Sequence, residues 1–180
     1  MSITILKAGF QDLIQDLGRN GYTHMGISPT GAADNISFRI SNLLLGNDIN
    51  KPGIEITLFG GSYYFNKDAI IALSGSVFTS AIDGDIIPFF KPIVVKFGQT
   101  LSIDSTTNGA RCYLAIKGGF QVPYILNSSS THLLSNTGGF NGRNLKKNDE
   151  IICDSSDDMG IKNNIKFNID DDRSILRVTK

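Results

Sequence analysis

The sequence predicts a mainly β fold of the α+β type: an antiparallel barrel, closed or nearly closed, with one helix packed against it. Three observations predict this class. Short segments of alternating apolar and polar residues recur along the 180 residues, one segment has a helical repeat, and 19 glycines separate the segments. Numerous short strands joined by glycine-rich turns are typical of antiparallel barrels.

The predicted strands are rich in Ile, Val, Phe and Tyr and are bounded by Gly, Asn or Asp. They are SITILKA at 2–8, IIALSG at 70–75, SVFTSAI at 76–82, PIVVKF at 92–97, TLSI at 100–103, RCYLAIKGG at 111–119, EIIC at 150–153 and SILRVT at 174–179. Asp83-Gly84 and Asn108-Gly109 each predict a two-residue hairpin turn, because Asn, Asp and Gly tolerate the positive φ that such turns require.

The segment DNISFRISNLLLGN at 34–47 predicts the helix, from about Asn35 to Leu45. Its apolar residues fall on one helical stripe, which consists of Ile36, Ile40, Leu43 and Leu44. Asp34 is placed to cap the first turn and Gly46 to follow the last one. The polar face is expected to carry Ser41 and either Arg39 or Asn42.

Composition narrows the classes of function. The formal net charge is zero and no basic patch recurs, which argues against a nucleic-acid partner. The N-terminus lacks the pattern of a signal peptide and no run is long enough to span a membrane, so we expect a cytoplasmic protein. Cys112 and Cys153 are far apart, which argues against a disulfide framework or a zinc site, and Cys112 lies in an apolar run that predicts a buried, inert thiol. The acidic run at 170–172 is interpreted as a solvated loop and not as a metal site.

Known catalytic motifs are absent, including the P-loop, the dinucleotide fingerprint, HExxH and GxSxG. GGFNGR at 138–143 is interpreted as a structural turn in preference to an anion-binding nest. His24 and His132 are candidates for acid or base chemistry, although ordinary surface roles are commoner for single histidines. Serine catalysis at SSST (128–131) is disfavoured, because His132 is adjacent in sequence and triad members normally converge from distant segments.

Three arginines stand beside glycines, turns or strand starts, where a guanidinium can reach a cleft: Arg19, Arg111 and Arg143. Arginine holds carboxylate and phosphate groups in a bidentate manner. Equally, each could form a structural salt bridge, with Asp16, Asp34, Glu55 or Asp149 as partner. The glycine-rich stretch at 15–34 is interpreted as a rigid wall of a cleft or subunit interface, with Arg19 pointing into the cleft or pairing with Asp34.

The order of several motifs along the chain is more specific than any one of them. The motifs are QDLGRNGY at 15–22, MGISPTGAAD at 25–34, SNLLLGN at 41–47, GIEIT at 53–57, ALSG at 72–75, FGQTLSI at 97–103, GARCYLAIKGGF at 109–120, SSST at 128–131 and GGFNGRNLKKND at 138–149. This succession resembles the biotin-dependent carboxyltransferase / allophanate hydrolase subunit 2 family, whose members include the C subunit of 5-oxoprolinase. The resemblance covers residues 3 to about 153.

The resemblance implies a cyclophilin-like β-barrel at 1–153, followed at 154–180 by a linker and the first strand of a C-terminal half that this chain lacks. It implies a subunit-B-like partner of related fold and a third subunit, which together open 5-oxoproline to glutamate with ATP as co-substrate. No metal site or biotin attachment site is expected in this chain. The alternatives are a non-catalytic module that binds a subunit-B-like, kinase-inhibitor-like protein, and a carboxyltransferase component of a urea carboxylase-like enzyme.

For an enzyme of this family we expect a cleft that collects Arg19, Asp34, Asn42, Arg111 and Arg143. Asp34 and Arg143 are the predicted catalytic residues. The predicted substrate-binding residues are Arg19, Asn42, Arg111, Ser130 and Thr131. Two departures from the family pattern matter: Ser129 replaces an arginine that could contact an anion, and Asn148 replaces a glycine but still tolerates a positive φ.

Overall fold

The structure, a computed structural model, describes residues 1–106 and 108–154 and contains eleven strands and one α-helix in those ranges. The strands are β1 (Ser2–Lys7), β2 (Gln11–Gln15), β3 (Gly53–Thr57), β4 (Ser62–Phe65), β5 (Ala69–Gly75), β6 (Phe78–Ile82), β7 (Asp85–Ile86), β8 (Ile93–Val95), β9 (Thr100–Thr106), β10 (Arg111–Ile116) and β11 (Glu150–Ile152), and the helix is α1 (Asn35–Leu44). Short 3-10 turns lie at Thr23–Met25 and Leu133–Ser135.

The strands form two antiparallel sheets. One has the order β11-β1-β4-β9-β6-β7 and the other β2-β3-β10-β5-β8. Apolar side chains from both sheets form one shared core, which includes Ile5, Phe65, Leu101, Ile56 and Leu114. The predicted class, mainly β and antiparallel with one packed helix, is confirmed. The likeness to cyclophilin and the closure of the barrel stay predictions, because what is described is two sheets around a core.

Helix α1 covers the outer face of the second sheet. Leu44 packs against Ile70 and Ala115, and the Phe38 ring meets the Tyr113 ring edge-on at 5.8 Å. Strands β5 and β3 are consequently buried on both faces, so they lack the polar alternation of a half-exposed strand.

The ends of α1 confirm the sequence prediction, whereas its buried face does not. Asp34 caps the helix through bonds from the Ile36 and Ser37 amides, and Gly46 follows with φ 68°. Ile36 is 74% exposed, although the sequence pattern places it on the apolar stripe. The buried residues are Phe38, Ser41, Asn42 and Leu44. The prediction failed because the polar atoms of Ser41 and Asn42 find backbone oxygens at Phe38 and Lys51, which makes their burial tolerable.

Of the two predicted hairpins, one is confirmed and one is wrong. Asp83 and Gly84 have φ 50° and 96° and join β6 to β7. Asn108-Gly109 lies between β9 and β10, but these strands belong to different sheets, so this segment connects the two sheets and does not form a hairpin. The predicted strand at 174–179, the linker before it and the acidic run at 170–172 lie outside the described residues.

Both cysteines are free and buried, which confirms the burial predicted for Cys112. Burial raises the pKa of Cys112 well above its usual value and raises that of Cys153 to about 12. None of the helices in the described part of the chain has the length and hydropathy of a transmembrane span.

Candidate functional site

The stretch at 15–34 leaves β2, turns back on itself and ends at the cap of α1. The Arg19 amide donates to the Pro29 carbonyl at 2.7 Å, and the Ala32 amide donates to the Asp16 carbonyl at 2.8 Å. Gly18 and Gly31 have φ 90° and 95°. A Cβ at Gly18 would collide with the backbone just before Gly31, and a Cβ at Gly31 would collide with the backbone of Gly18, so a side chain would fit at neither position. The segment is therefore a closed, well-bonded loop, as a cleft wall requires.

Asp16 ties this loop to the distant SSST run. Its buried carboxylate accepts hydrogen bonds from the Ser128 hydroxyl at 2.8 Å, from the Ser129 amide at 2.6 Å and from the Ser130 hydroxyl. The Gly18 amide also donates to it, at 2.7 Å. A buried carboxylate with four donors is well solvated by the protein, which explains how a charge at 0% exposure is tolerated.

Arg19 crosses between the same two loops and is only 3% exposed. Its Nη1 donates to the Thr30 hydroxyl at 2.7 Å, its Nη2 to the Ser130 carbonyl at 2.6 Å and its Nε to the Ile125 carbonyl at 3.4 Å. A Cβ at Gly138 would lie 2.7 Å from Arg19 Nη2, so the guanidinium packs directly over that backbone.

No carboxylate of the described residues lies within ion-pair distance of Arg19. Its three acceptors are neutral, and a guanidinium has five N–H groups, so two donors remain. A buried cation without a counter-ion is costly, and this one is suited to receive an anion from solution.

Arg19 borders a cavity of about 290 Å³. The volume falls just below the ~300–1,000 Å³ typical of sites for drug-sized ligands, so it suits a small metabolite. The other residues that line it are Gly26, Ile27, Ser28, Ile125, Leu126, His132, Ser135 and Thr137. The prediction that Arg19 points into a cleft agrees with this geometry; a pairing with Asp34 is not observed.

The backbone around the cavity is strained. Thr30, Leu126, Asn127 and Asn136 have positive φ values of 52°, 53°, 58° and 50°. A positive φ is unusual for a β-branched or bulky residue and is typical of sites where the surroundings impose the geometry. Leu126 and Asn127 form a tight turn between Ile125 and Ser128, which bond to each other through their backbones. The turn directs Leu126 to the cavity wall.

Arg111 belongs to a different network. Its Nε lies 3.5 Å from Oε1 of Glu55, whose other oxygen accepts from the Tyr113 hydroxyl at 3.0 Å. That hydroxyl accepts from the Asp34 amide, which links the start of α1 to the sheet. Burial, followed by the charge of Glu55, raises the pKa of Tyr113. The structural salt-bridge interpretation therefore describes Arg111.

Arg143 also has a carboxylate partner. Nη1 and Nη2 donate to Asp149 at 2.7 and 2.9 Å, and the guanidinium lies 5.4 Å from the Phe140 ring centre. The hydrogen bonds from Arg143 hold the pKa of Asp149 below its usual value. This pair fixes the turn before β11, where Asn148 adopts φ 71°, a conformation that asparagine tolerates.

Asn42 and Thr131 are buried, and their side-chain polar groups already have hydrogen-bond partners within the protein. Asn42 Nδ2 donates to the Lys51 carbonyl at 2.9 Å, and its oxygen accepts from Asn47. The Thr131 hydroxyl donates to the Ile14 carbonyl at 2.8 Å. Their predicted contacts with substrate stay predictions, as do the catalytic roles of Asp34 and Arg143.

The structure does not bring the five expected side chains into one cleft. Arg19 lines the cavity and donates to the Ser130 carbonyl behind it, whereas Asp34, Asn42, Arg111 and Arg143 have separate sets of contacts and do not line it. Sequence reasoning does not assign three polar residues of the site to it. Asp16 is expected only as a salt-bridge partner, and Ser135 and Thr137 carry no expectation. The four hydroxyl side chains of the SSST run at 128–131 are buried and need hydrogen-bond acceptors, but the sequence does not show that Asp16 is the acceptor for two of them.

A second depression of about 370 Å³ is lined by Lys51, Phe120, Tyr124 and Asp154, among others. Its charged groups already satisfy one another: Lys51 Nζ lies 3.4 Å from Asp154, which also accepts from Gln121. It therefore offers less to a charged ligand than the Arg19 cavity. No group of three or more potential metal ligands occurs within 1–106 and 108–154.

The fold and the cavity define a class: a mainly β domain with a small, largely apolar cavity that borders a buried arginine between two loops. A family profile described as "Carboxyltransferase domain, subdomain A and B" matches residues 25–179. The chain belongs to this carboxyltransferase domain family, as the order of its motifs predicts.

The relatives fall into two groups. The chain is 44% identical over 158 residues to urea amidolyase of Saccharomyces cerevisiae, a match that covers 87% of this chain and 9% of the relative. It is 38% identical over 165 residues to the C subunit of 5-oxoprolinase from Escherichia coli, a match that covers 89% of this chain and 53% of the relative. The chain thus spans about half the length of the E. coli protein and a small part of the yeast protein.

The structural comparison agrees. The crystal structure of Kluyveromyces lactis urea amidolyase superposes with a TM-score of 0.83 at 39% identity, over 84% of this chain and 9% of that one. The fold is therefore that of a domain in this family. Membership supports a carboxyltransferase-like domain or a 5-oxoprolinase subunit, and the designation of the bacterial relative as a subunit implies a complex of several chains for that protein.

Proposed function

We propose that this chain is part of a subunit of an ATP-dependent 5-oxoprolinase-type enzyme, which opens the cyclic amide of 5-oxoproline to give glutamate. It acts with a subunit-B-like partner and a third subunit, and ATP is the co-substrate. The arginine cavity binds the substrate carboxylate in this proposal.

The observation that carries the proposal is the buried guanidinium of Arg19 beside a small cavity, without a carboxylate partner among the described residues. 5-Oxoproline contains a carboxylate and an amide in one small ring. Urea contains an amide-like carbonyl and gains a carboxylate only when it is carboxylated. An unpaired buried cation supports a substrate that brings its own carboxylate, and it also fits the carboxyl group that a carboxyltransferase transfers.

The carboxyltransferase reaction remains a second candidate because of the 44% identity to urea amidolyase. Both substrates have a carbonyl bonded to nitrogen. In this alternative the chain helps to carboxylate an amide nitrogen and needs a biotin carrier. Arg19 is then expected to hold the loop at 125–131 and to contact the transferred carboxyl group instead of a substrate carboxylate.

The non-catalytic module is the third alternative and predicts a large exposed apolar patch. An apolar surface does occur where the Phe10 and Phe59 rings lie 5.7 Å apart, with Leu6 and Leu58 also exposed. Such a surface is compatible with a subunit contact in an enzyme as well, so it does not favour this alternative.

The test uses the native protein that contains this chain, combined with its partner subunits, ATP and 5-oxoproline, and measures glutamate. We expect release by the wild type. Arg19→Lys should raise KM by about 10–100-fold, because a charge-assisted bidentate contact is worth about 1.5–3 kcal/mol. The control is Arg39→Lys on the exposed face of α1, which should leave KM unchanged.

Absence of glutamate release would overturn the proposal, provided that the same partners are active with the corresponding subunit of a known 5-oxoprolinase. Urea-dependent consumption of ATP in the presence of a biotin carrier would establish the second candidate instead. Melting curves of both variants separate a loss of binding from a loss of folding.

A further inference from the structure

The Arg19 cavity has a second polar group on its wall, formed by three residues of one turn. His132 Nδ1 lies 2.7 Å from the Ser135 hydroxyl, which lies 2.7 Å from the Thr137 hydroxyl. All three line the cavity. The sequence offered no signal for this chain of hydrogen bonds beyond the single histidine.

The backbone holds these three side chains in place. The His132 amide donates to the Thr137 carbonyl at 2.8 Å, and the Thr137 amide donates back at 3.2 Å. Asn136 closes the turn with φ 50°. The chain of hydroxyls therefore fixes the orientation of the imidazole from one side, in the way that a neighbouring hydrogen bond orients a functional histidine.

His132 retains one unoccupied polar atom. Its Nδ1 is engaged by Ser135, and Nε2 has no hydrogen bond to a described residue. Nε2 is a donor in one tautomer and an acceptor in the other. An amide offers both an N–H and a carbonyl oxygen, so either tautomer of His132 can bond to it.

Apolar side chains form much of the remaining wall: Ile27, Ile125 and Leu126. The cavity thus combines one cation, one hydrogen-bonding imidazole and a hydrocarbon surface. A small ring with a carboxylate on one side, an amide on another and methylene groups between them has the matching distribution of groups.

We propose that His132, oriented by Ser135 and Thr137, recognises the ring amide of a ligand whose carboxylate is held by Arg19. The ligand class is a small cyclic amide acid. The choice of 5-oxoproline as its representative rests on the proposed function. His132 sets specificity here, and no bond-breaking step is assigned to it.

The test measures binding to the whole chain by NMR titration with three related rings at millimolar concentration. 5-Oxoproline has both groups, cyclopentanecarboxylate has only the carboxylate, and 2-pyrrolidinone has only the amide. His132→Phe should weaken 5-oxoproline about tenfold and leave cyclopentanecarboxylate unchanged, because it removes one hydrogen bond and keeps the ring shape. Arg19→Met should weaken both carboxylates.

His132→Gln supplies a hydrogen-bonding group again and should restore part of the preference for 5-oxoproline over cyclopentanecarboxylate. Ser135→Ala should reduce that preference without removing it, as expected of a residue that acts through His132. The matched control is His24→Phe, at an exposed histidine that does not line the cavity.

The inference is overturned if wild type does not bind 5-oxoproline, or if His132→Phe weakens both acids equally. These outcomes are separable from the proposed function. Ligand preference without glutamate release by the complex would overturn only the reaction. Glutamate release with an unchanged preference in His132→Phe would overturn only the role of His132.

Discussion

Asp12 shows how a single buried carboxyl group couples this fold to pH. It is 1% exposed, and Oδ2 accepts from the Gly9 amide at 2.9 Å and from the Tyr63 hydroxyl at 2.8 Å. Its Oδ1 has no partner. Burial raises the pKa of Asp12 to about 6, and the hydrogen bonds from Gly9 and Tyr63 oppose this rise only in part.

The pH dependence of folding follows from that shift. Because the folded pKa of Asp12 lies above its unfolded value of 3.8, the folded state prefers the protonated form. This contribution is fully present below pH 3.8 and is lost as the pH rises through about 6. Relative to Asp12→Asn, wild type should lose about 3 kcal/mol of unfolding free energy across that window.

Urea denaturation of both proteins at several pH values measures the difference. Asn keeps an oxygen for Gly9 and Tyr63 but cannot ionise, so the comparison isolates the charge. A difference between the two proteins that does not change from pH 3.5 to 7 would show that folding does not shift the pKa of Asp12.

Element α1 illustrates where a sequence pattern is insufficient. Its bounds and cap follow from Asp34 and Gly46, which act locally. Its buried face depends on partners elsewhere: the Tyr113 ring meets Phe38, and the Lys51 carbonyl receives Asn42. Hydropathy alone could not reveal that an amide and a hydroxyl would be buried in place of Ile36.

Two substitutions in α1 test the observed face. Phe38→Ala should reduce the free energy of unfolding by about 3–5 kcal/mol, because it leaves a cavity against Tyr113. Ile36→Ala should change it by less than about 0.5 kcal/mol, because the side chain is 74% exposed. Chemical denaturation gives both values. Equal losses of unfolding free energy would contradict the observed buried face and support the apolar stripe that the sequence predicts.

Several strands were predictable for the same local reason, and others were not. Strands β1, β5, β6 and β8–β11 lie where periodicity or β-branched composition places them. Strand β2 was missed because Asp12 and Gln15 are buried in it, which removes the alternation. Strand β3 contains buried Glu55, whose partners Tyr113 and Ala33 are far away in the sequence.

At the scale of the whole molecule, the site is built by contacts between remote segments. Asp16 and Ser130 are separated by 114 positions, and they belong to the two loops that enclose Arg19. The sequence indicated that Arg19 and the serine run were special residue types. It could not show that the Asp16 carboxylate would accept hydrogen bonds from three consecutive serines and that the neighbouring Arg19 would have no carboxylate partner among the described residues.

The two buried thiols provide a test of how the whole molecule opens. Cys112 lies in β10, between β3 and β5, at the centre of its sheet. Cys153 follows the three-residue edge strand β11, which pairs only with β1 in the described sheets. Edge strands open at lower free-energy cost than central ones.

Under native conditions a thiol reagent should therefore modify Cys153 faster than Cys112, and mass spectrometry with Cys112→Ala and Cys153→Ala assigns each rate. Equal rates would mean that β11 detaches only when the entire domain unfolds. The difference in rates separates opening of the edge strand β11 from loss of the core, so a ligand in the Arg19 cavity that stabilises the whole fold should slow the labelling of Cys112.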